Sequence, residues 1–166
     1  MVKIILIVVV ILGFTYIGFG IASYYKKRNR FFREFVLLVD KLRAEIQFSQ
    51  KGLGLILKDQ VASKEDSLGR VVGNFVEYIS NKDIVLDSKH LFKGLCFLKT
   101  QEKGEILNFF KSLGRHDSEN EVALLDNFKE YLLVNSSTCS IEETKYGKMA
   151  IKISFLLGLM IAILLI

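Results

Sequence analysis

Met149-Ala-Ile-Lys-Ile-Ser-Phe-Leu-Leu-Gly-Leu-Met-Ile-Ala-Ile-Leu-Leu-Ile166 carries one charge, Lys152, and no proline. Counted from Ile153, the uncharged run spans only ~21 Å as a helix, short of the ~30 Å hydrocarbon core of a bilayer. Counted from Met149 it reaches ~27 Å, and Lys148 and Lys152 are long enough to snorkel to the head groups. A core helix of a soluble protein is the competing reading, because runs of this length serve as either. The other end of the chain weighs against it. Ile4 to Ser23 contains no charge and is long enough for one bilayer crossing. Tyr24 and Tyr25 follow it, where amphipathic rings settle at a membrane interface. A cleavable signal peptide would carry its positive charge ahead of the apolar run and a small-x-small site behind it. Here only Lys3 precedes, while Lys26, Lys27, Arg28, Arg30 and Arg33 follow. The first run therefore reads as an uncleaved anchor.

The chain has 166 residues, half of them hydrophobic, with no proline and no tryptophan. Without proline nothing imposes a break on a helix. The expected fold is all-α: about six helices in an antiparallel bundle between two transmembrane helices. The expected division is 1–25 for the first span, 26–147 for the bundle and 148–166 for the second span. Charge follows the same division. Nine basic residues hug the apolar ends: Lys3, the five after the first run, and Lys145, Lys148 and Lys152. Between Glu34 and Glu143 lie all 18 acidic residues and the other 14 basic ones, so the body carries −4 and the overall +5 comes from the collar. Positive charge flanking the middle from both sides predicts a cytosolic middle. A nucleic-acid-binding domain would need its basic patch on the folded body; the collar is better suited to anionic lipid head groups. Cys96 and Cys139 have neither CxxC spacing nor a partner pattern, and read as two buried thiols rather than a disulfide.

Along the body, Phe32, Phe35, Val39, Leu42 and Ile46 recur every three or four residues, with Asp40, Lys41, Arg43 and Glu45 outside the seam. Leu53, Ile56, Leu57 and Val61 predict a short second helix after Gly52 and Gly54. Val71, Val72, Phe75, Tyr78 and Ile79 predict a third, after a polar connection ending at Asp66-Ser67. Asp87 or Ser88 suits the cap of a fourth carrying Leu91, Phe92, Leu95, Cys96 and Leu98. Ile106, Phe109, Phe110 and Leu113 mark a fifth. Gly114 then suits a left-handed helix end, and Ser118 with Glu121 fits a capping box opening a sixth helix with Leu124, Leu125, Phe128, Tyr131 and Leu132. Ser136 to Ser140 has poor helix propensity and is a candidate bend before the second span; whether one helix continues through it stays open.

No cluster supports catalysis. Arg115, His116 and Asp117 are of suitable types, but neighbours on a turn diverge and no serine or cysteine nucleophile is spaced to join them. Two histidines without acidic-His spacing offer no metal site, and no phosphate-cradling glycine loop is present. Neither an enzyme nor a cofactor is expected. In the apolar ends, Gly18 and Ala22 fall four apart, as do Ser154, Gly158 and Ala162. Small residues on one face let helices approach closely in lipid, either within one chain or between copies.

The order of these features resembles one family. The N-terminal span with its collar, Leu-Arg-Ala-Glu-Ile-Gln-Phe at Leu42–Phe48, Phe-Phe-Lys-Ser-Leu-Gly-Arg-His-Asp at Phe109–Asp117, and the ending from Lys148-Met149 to Leu165-Ile166 are together similar to stage III sporulation protein AB. Two positions depart from that pattern: Gly52, where the family tends to proline, and Glu121, where it tends to glutamine. The resemblance implies a relative of the cytoplasmic helical domain of type II secretion and type IV pilus inner-membrane platform proteins. It implies a non-enzymatic platform in the mother cell of endospore formers. Such a platform would couple a secretion-type ATPase (stage III sporulation protein AA) to membrane ring components of the channel to the forespore. Arg115 and Asp117, on the exposed turn, are then the candidate partner contact. The alternative is a stand-alone membrane-anchored helical scaffold or signalling hairpin.

Overall fold

The computed structural model describes residues 2–48, 55–58, 66–81, 85–115 and 118–164. With no proline to remove a backbone donor, α1 runs unbroken from Val2 to Phe48. Thr15, in its apolar part, satisfies its own hydroxyl by donating to the Ile11 carbonyl at 2.8 Å. A helical turn follows at 55–58, with Ile56 and Leu57 buried; the rest of the expected second helix lies outside the described residues. Then come α2 (Ser67–Ser80), α3 (Ser88–Leu91), α4 (Thr100–Ser112), α5 (Ser118–Glu142) and α6 (Lys148–Leu164). The described residues contain no strand, and the all-α expectation holds.

Helix starts follow local chemistry. Asp66 accepts the Gly69 N–H at 2.8 Å and opens α2. Asp87 accepts the Ser88 N–H at 2.7 Å and opens α3. At α4 the Glu102 carboxylate reaches back to the Lys99 N–H at 2.8 Å. The fourth predicted helix is corrected in extent. It stops at Leu91, and Gly94, at φ 78°, turns the chain left-handed, which side chains with a Cβ rarely tolerate. Leu95 and Leu98 are buried from an irregular segment, while Cys96 is exposed, so only Cys139 is the buried thiol expected. Helical spacing there reflected a shared buried side, not a helix. Asn74 holds the short α3 by donating to the carbonyls of His90 and Leu91, both at 3.1 Å.

The candidate bend at Ser136–Ser140 is also corrected. Those residues are α-helical, and the irregularity comes later, as a π-helical turn at Glu143–Gly147 between α5 and α6. Helical backbone is continuous from Ser118 to Leu164, which answers the open question of continuity. The wide turn has a geometric use. Cys139 and Gly147 are both buried and eight residues apart, whereas two α-turns take about 7.2. The extra residue is absorbed by the π turn.

Two compact units emerge: Met1–Arg30 with Ser136–Ile166, and Phe31–Asn135. Residues 26–30 and 136–147, assigned to the bundle by the sequence, fall in the unit that holds the apolar ends.

The second unit is built on rings. Phe35 of α1 is fully buried, with ring centroids 5.8 Å from Phe31, 6.1 Å from Phe109, 6.0 Å from Phe110 and 5.3 Å from Phe128. Phe75 of α2 meets Phe110 at 4.5 Å, Phe97 meets Phe31 at 5.8 Å, and Phe109 stacks on Phe128 at 3.8 Å. Each such pair adds about 0.5–1.5 kcal/mol beyond the area it buries. At the surface Arg43 pairs with Asp126 at 2.7 Å and Lys129 with Asp40 at 2.6 Å. The pairing numbers rise on α1 as they fall on α5, so the two run antiparallel. Both pairs are partly exposed and contribute at most ~1 kcal/mol each.

Candidate functional site

In the first unit, α1 and α6 pack along small residues. A Cβ placed on Gly18 would lie 2.9 Å from Ser154 Cβ and 3.1 Å from Ile151 Cα. One on Gly158 would lie 3.1 Å from Phe14 Cβ and 3.3 Å from Ile11 Cα. Gly13 and Gly20, on the same first helix, face nothing within 4 Å. Absence of a side chain is therefore used at 18 and 158 and not at 13 and 20. Ser154, Gly158 and Ala162 are buried in the seam, and Ala22 lies against Gly147. The structure thus brings Gly18, Ala22, Ser154, Gly158 and Ala162 into one intrachain interface.

This packing sets up a covalent test. A Cβ on Gly147 would stand 4.0 Å from the Ala22 Cβ, inside the ~3.5–4.5 Å window of a disulfide. In a background lacking Cys96 and Cys139, Ala22→Cys with Gly147→Cys should oxidise to an intrachain bridge, visible as a faster monomer band on a non-reducing gel. A disulfide-linked dimer as the main product would instead mean that the seam joins copies.

Where the basic collar begins, the two helices exchange polar contacts. Tyr25 and Tyr146 lie with ring centroids 6.0 Å apart, and Lys145 sits 5.5 Å over the Tyr146 ring. Arg28 is only 3% exposed and its guanidinium pairs with the Glu142 carboxylate. Asn29 donates from Nδ2 to Glu143 Oε2 at 2.5 Å. The collar is thereby corrected at one position. Arg28 turns inward to a carboxylate and is withdrawn from the head-group set, while Lys26, Lys27, Arg30, Arg33, Lys145, Lys148 and Lys152 remain exposed. The acidic pair Glu142-Glu143 amid basic residues was the sequence signal for this contact. Without a fold, nothing linked it to Arg28-Asn29.

On the second unit, Gly114 takes φ 80° as its position at a helix end requires, and Arg115 is exposed. Asp117, the other candidate partner contact, and His116 lie outside the described residues. Of the expected capping box, the Ser118 side chain lies outside what the structure describes, while Glu121 is buried and its Oε1 accepts the Gly114 N–H at 2.7 Å. It clamps the preceding turn, a task that a glutamine carbonyl would also perform.

These features define a class: an all-helical protein with two helices long and apolar enough to cross a membrane, sharing a small-residue seam, and a second unit with an aromatic core. The chain belongs to the stage III sporulation protein AB family, whose model matches residues 3–166. That is not a family of known enzymes, and it has its role in sporulation. No curated protein and no solved structure shows a significant match to the chain.

Proposed function

We propose that this chain is a non-enzymatic platform of the mother cell–forespore channel apparatus, with both apolar ends in the cell membrane and residues 26–147 in the mother-cell cytosol. In this reading it couples a secretion-type ATPase, stage III sporulation protein AA, to other stage III sporulation membrane components. The observation that carries the membrane placement is outward apolarity. Of the most apolar windows of the two long helices only 6% and 22% of residues are buried, whereas a core helix of a soluble protein would be mostly covered. Val8, Leu12, Ile17, Leu156, Met160 and Ile163 all face outward, and lipid is the solvent that removes that surface from water. The collar supports the orientation through the preference of lysine and arginine for the cytosolic side. Family membership supports the setting.

The test is association of the full-length chain in lipid nanodiscs with the purified ATPase, together with sporulation microscopy of a deletion strain. Saturable binding in the micromolar range and a loss of sporulation are expected. Reversing both charges, Arg115→Glu with Asp117→Arg, should weaken binding at least tenfold, about 1.4 kcal/mol. No association at tens of micromolar, with cross-linking in cells also negative, would remove the ATPase from the account. A normal spore yield after deletion would favour the stand-alone scaffold.

A further inference from the structure

Beside the π turn, α1 and the α5–α6 helix, in contact at Ala22 and Gly147, form an open groove of about 530 Å³. Phe19 and Ile151 contribute to its apolar lining, and Ser23, Lys26, Glu143 and Lys148 to its polar lining. Every one of these residues belongs to the unit holding the apolar ends. The size is that of a ligand pocket rather than a packing defect. Among the described residues neither Lys26 nor Lys148 has an ion-pair partner. Glu143, by contrast, is already engaged through Oε2 by Asn29. The lining therefore carries two available ammonium groups against one carboxylate, an excess of one positive charge in a mostly apolar groove.

We propose that this groove is a specific site for one anionic phospholipid. The phosphodiester is taken between Lys26 and Lys148, whose ammonium groups donate to its oxygens. The Ser23 hydroxyl supplies a further donor. Glu143 accepts from head-group hydroxyls, which favours a glycerol head group over a choline, which has none to offer. An acyl chain continues from the phosphate along Phe19 and Ile151 towards the apolar ends. The occupant is argued from charge complementarity and from this continuity with the apolar helices. A soluble phosphate would use only the polar lining. The π turn contributes Glu143, Thr144 and Gly147 to the lining, and such turns recur at functional sites. The proposal rests on both ends lying in lipid, but it is narrower than a diffuse collar, because it assigns two lysines out of the collar to one bound molecule.

The test is native mass spectrometry of the full chain purified in detergent and titrated with phosphatidylglycerol. One lipid should be retained per chain at concentrations where phosphatidylcholine is not. Lys26→Gln with Lys148→Gln should lower that affinity at least tenfold. Lys27→Gln with Lys152→Gln removes the same charge outside the groove and should change it less than twofold. Equal loss in both variants would overturn the specific site and leave the diffuse collar standing. No retained lipid in the unmodified chain, with the protein also washed off membranes by carbonate, would sink the membrane placement as well. Equal retention of phosphatidylcholine, or displacement of the lipid by millimolar glycerol 3-phosphate, would overturn the choice of occupant.

Discussion

Phe35→Ala should destabilise the aromatic unit by about 3–5 kcal/mol, the range for deleting a buried ring. The whole stability of such a domain is ~5–15 kcal/mol, so the variant should melt far below the unmodified chain. The reason is position: the ring is fully buried and touches four others, from α1, α4 and α5. Truncation leaves a void that rings fixed on three helices cannot collapse to fill. Leu37→Ala, two residues on along the same helix, is the control, because Leu37 is 64% exposed and should change stability by less than about 0.5 kcal/mol. Urea unfolding of the full chain in detergent, followed by circular dichroism, measures both. A Phe35→Ala chain within 1 kcal/mol of the unmodified one would mean that the ring cluster is not the core.

The second large effect is expected at Arg28 and Glu142. Breaking a buried ion pair from one side takes the paired carboxylate away from a buried charge, at a cost of about 3–5 kcal/mol. Glu142 keeps 21% of its side chain exposed, so the low end, near 3 kcal/mol, is expected for Glu142→Ala. Cys139 reports it without a probe. It is 1% exposed and three residues from Glu142, so its thiol reacts only when the unit opens. In a Cys96→Ser background, Glu142→Ala should speed Cys139 labelling by roughly two orders of magnitude, at a factor of ten per 1.4 kcal/mol. Arg28→Met with Glu142→Leu should return the rate to within about tenfold, because apolar replacements remove both desolvation costs together. If the single variant labels no faster than the unmodified chain, the pair does not hold the helices together.

Much of this was legible in one dimension. Of the seam Phe32, Phe35, Val39, Leu42 and Ile46, the first four are buried as its spacing predicted and Ile46 is half-buried, because burial on a helix repeats with the helical turn. Gly114 ends its helix for a backbone reason that a sequence displays directly. The misreadings share a cause. Leu95 and Leu98 are buried like helical residues but sit in a loop. Periodicity reports which side chains are covered, not the backbone that brings them there. Glu121 was read as serving its own helix start, yet it reaches the Gly114 N–H, since a carboxylate goes to whichever orphan donor the fold leaves nearest. Arg28 was grouped with its basic neighbours, and only a helix from the far end of the chain supplied the carboxylate that turns it inward.

By itself the amino-acid sequence determined the helical character, the two apolar ends, the basic collar with an acidic body, and family membership. All of these are set by composition and by local spacing. Tertiary structure alone decided that Phe31, Phe35, Phe75, Phe109, Phe110 and Phe128 form one cluster, that Gly18 meets Ser154, and that Glu142 meets Arg28. Apart from near neighbours such as Phe31 and Phe35, those contacts join residues tens to more than a hundred positions apart. Their energy comes from side chains meeting across space, and no local pattern encodes which distant partner a ring, a glycine or a charge will find.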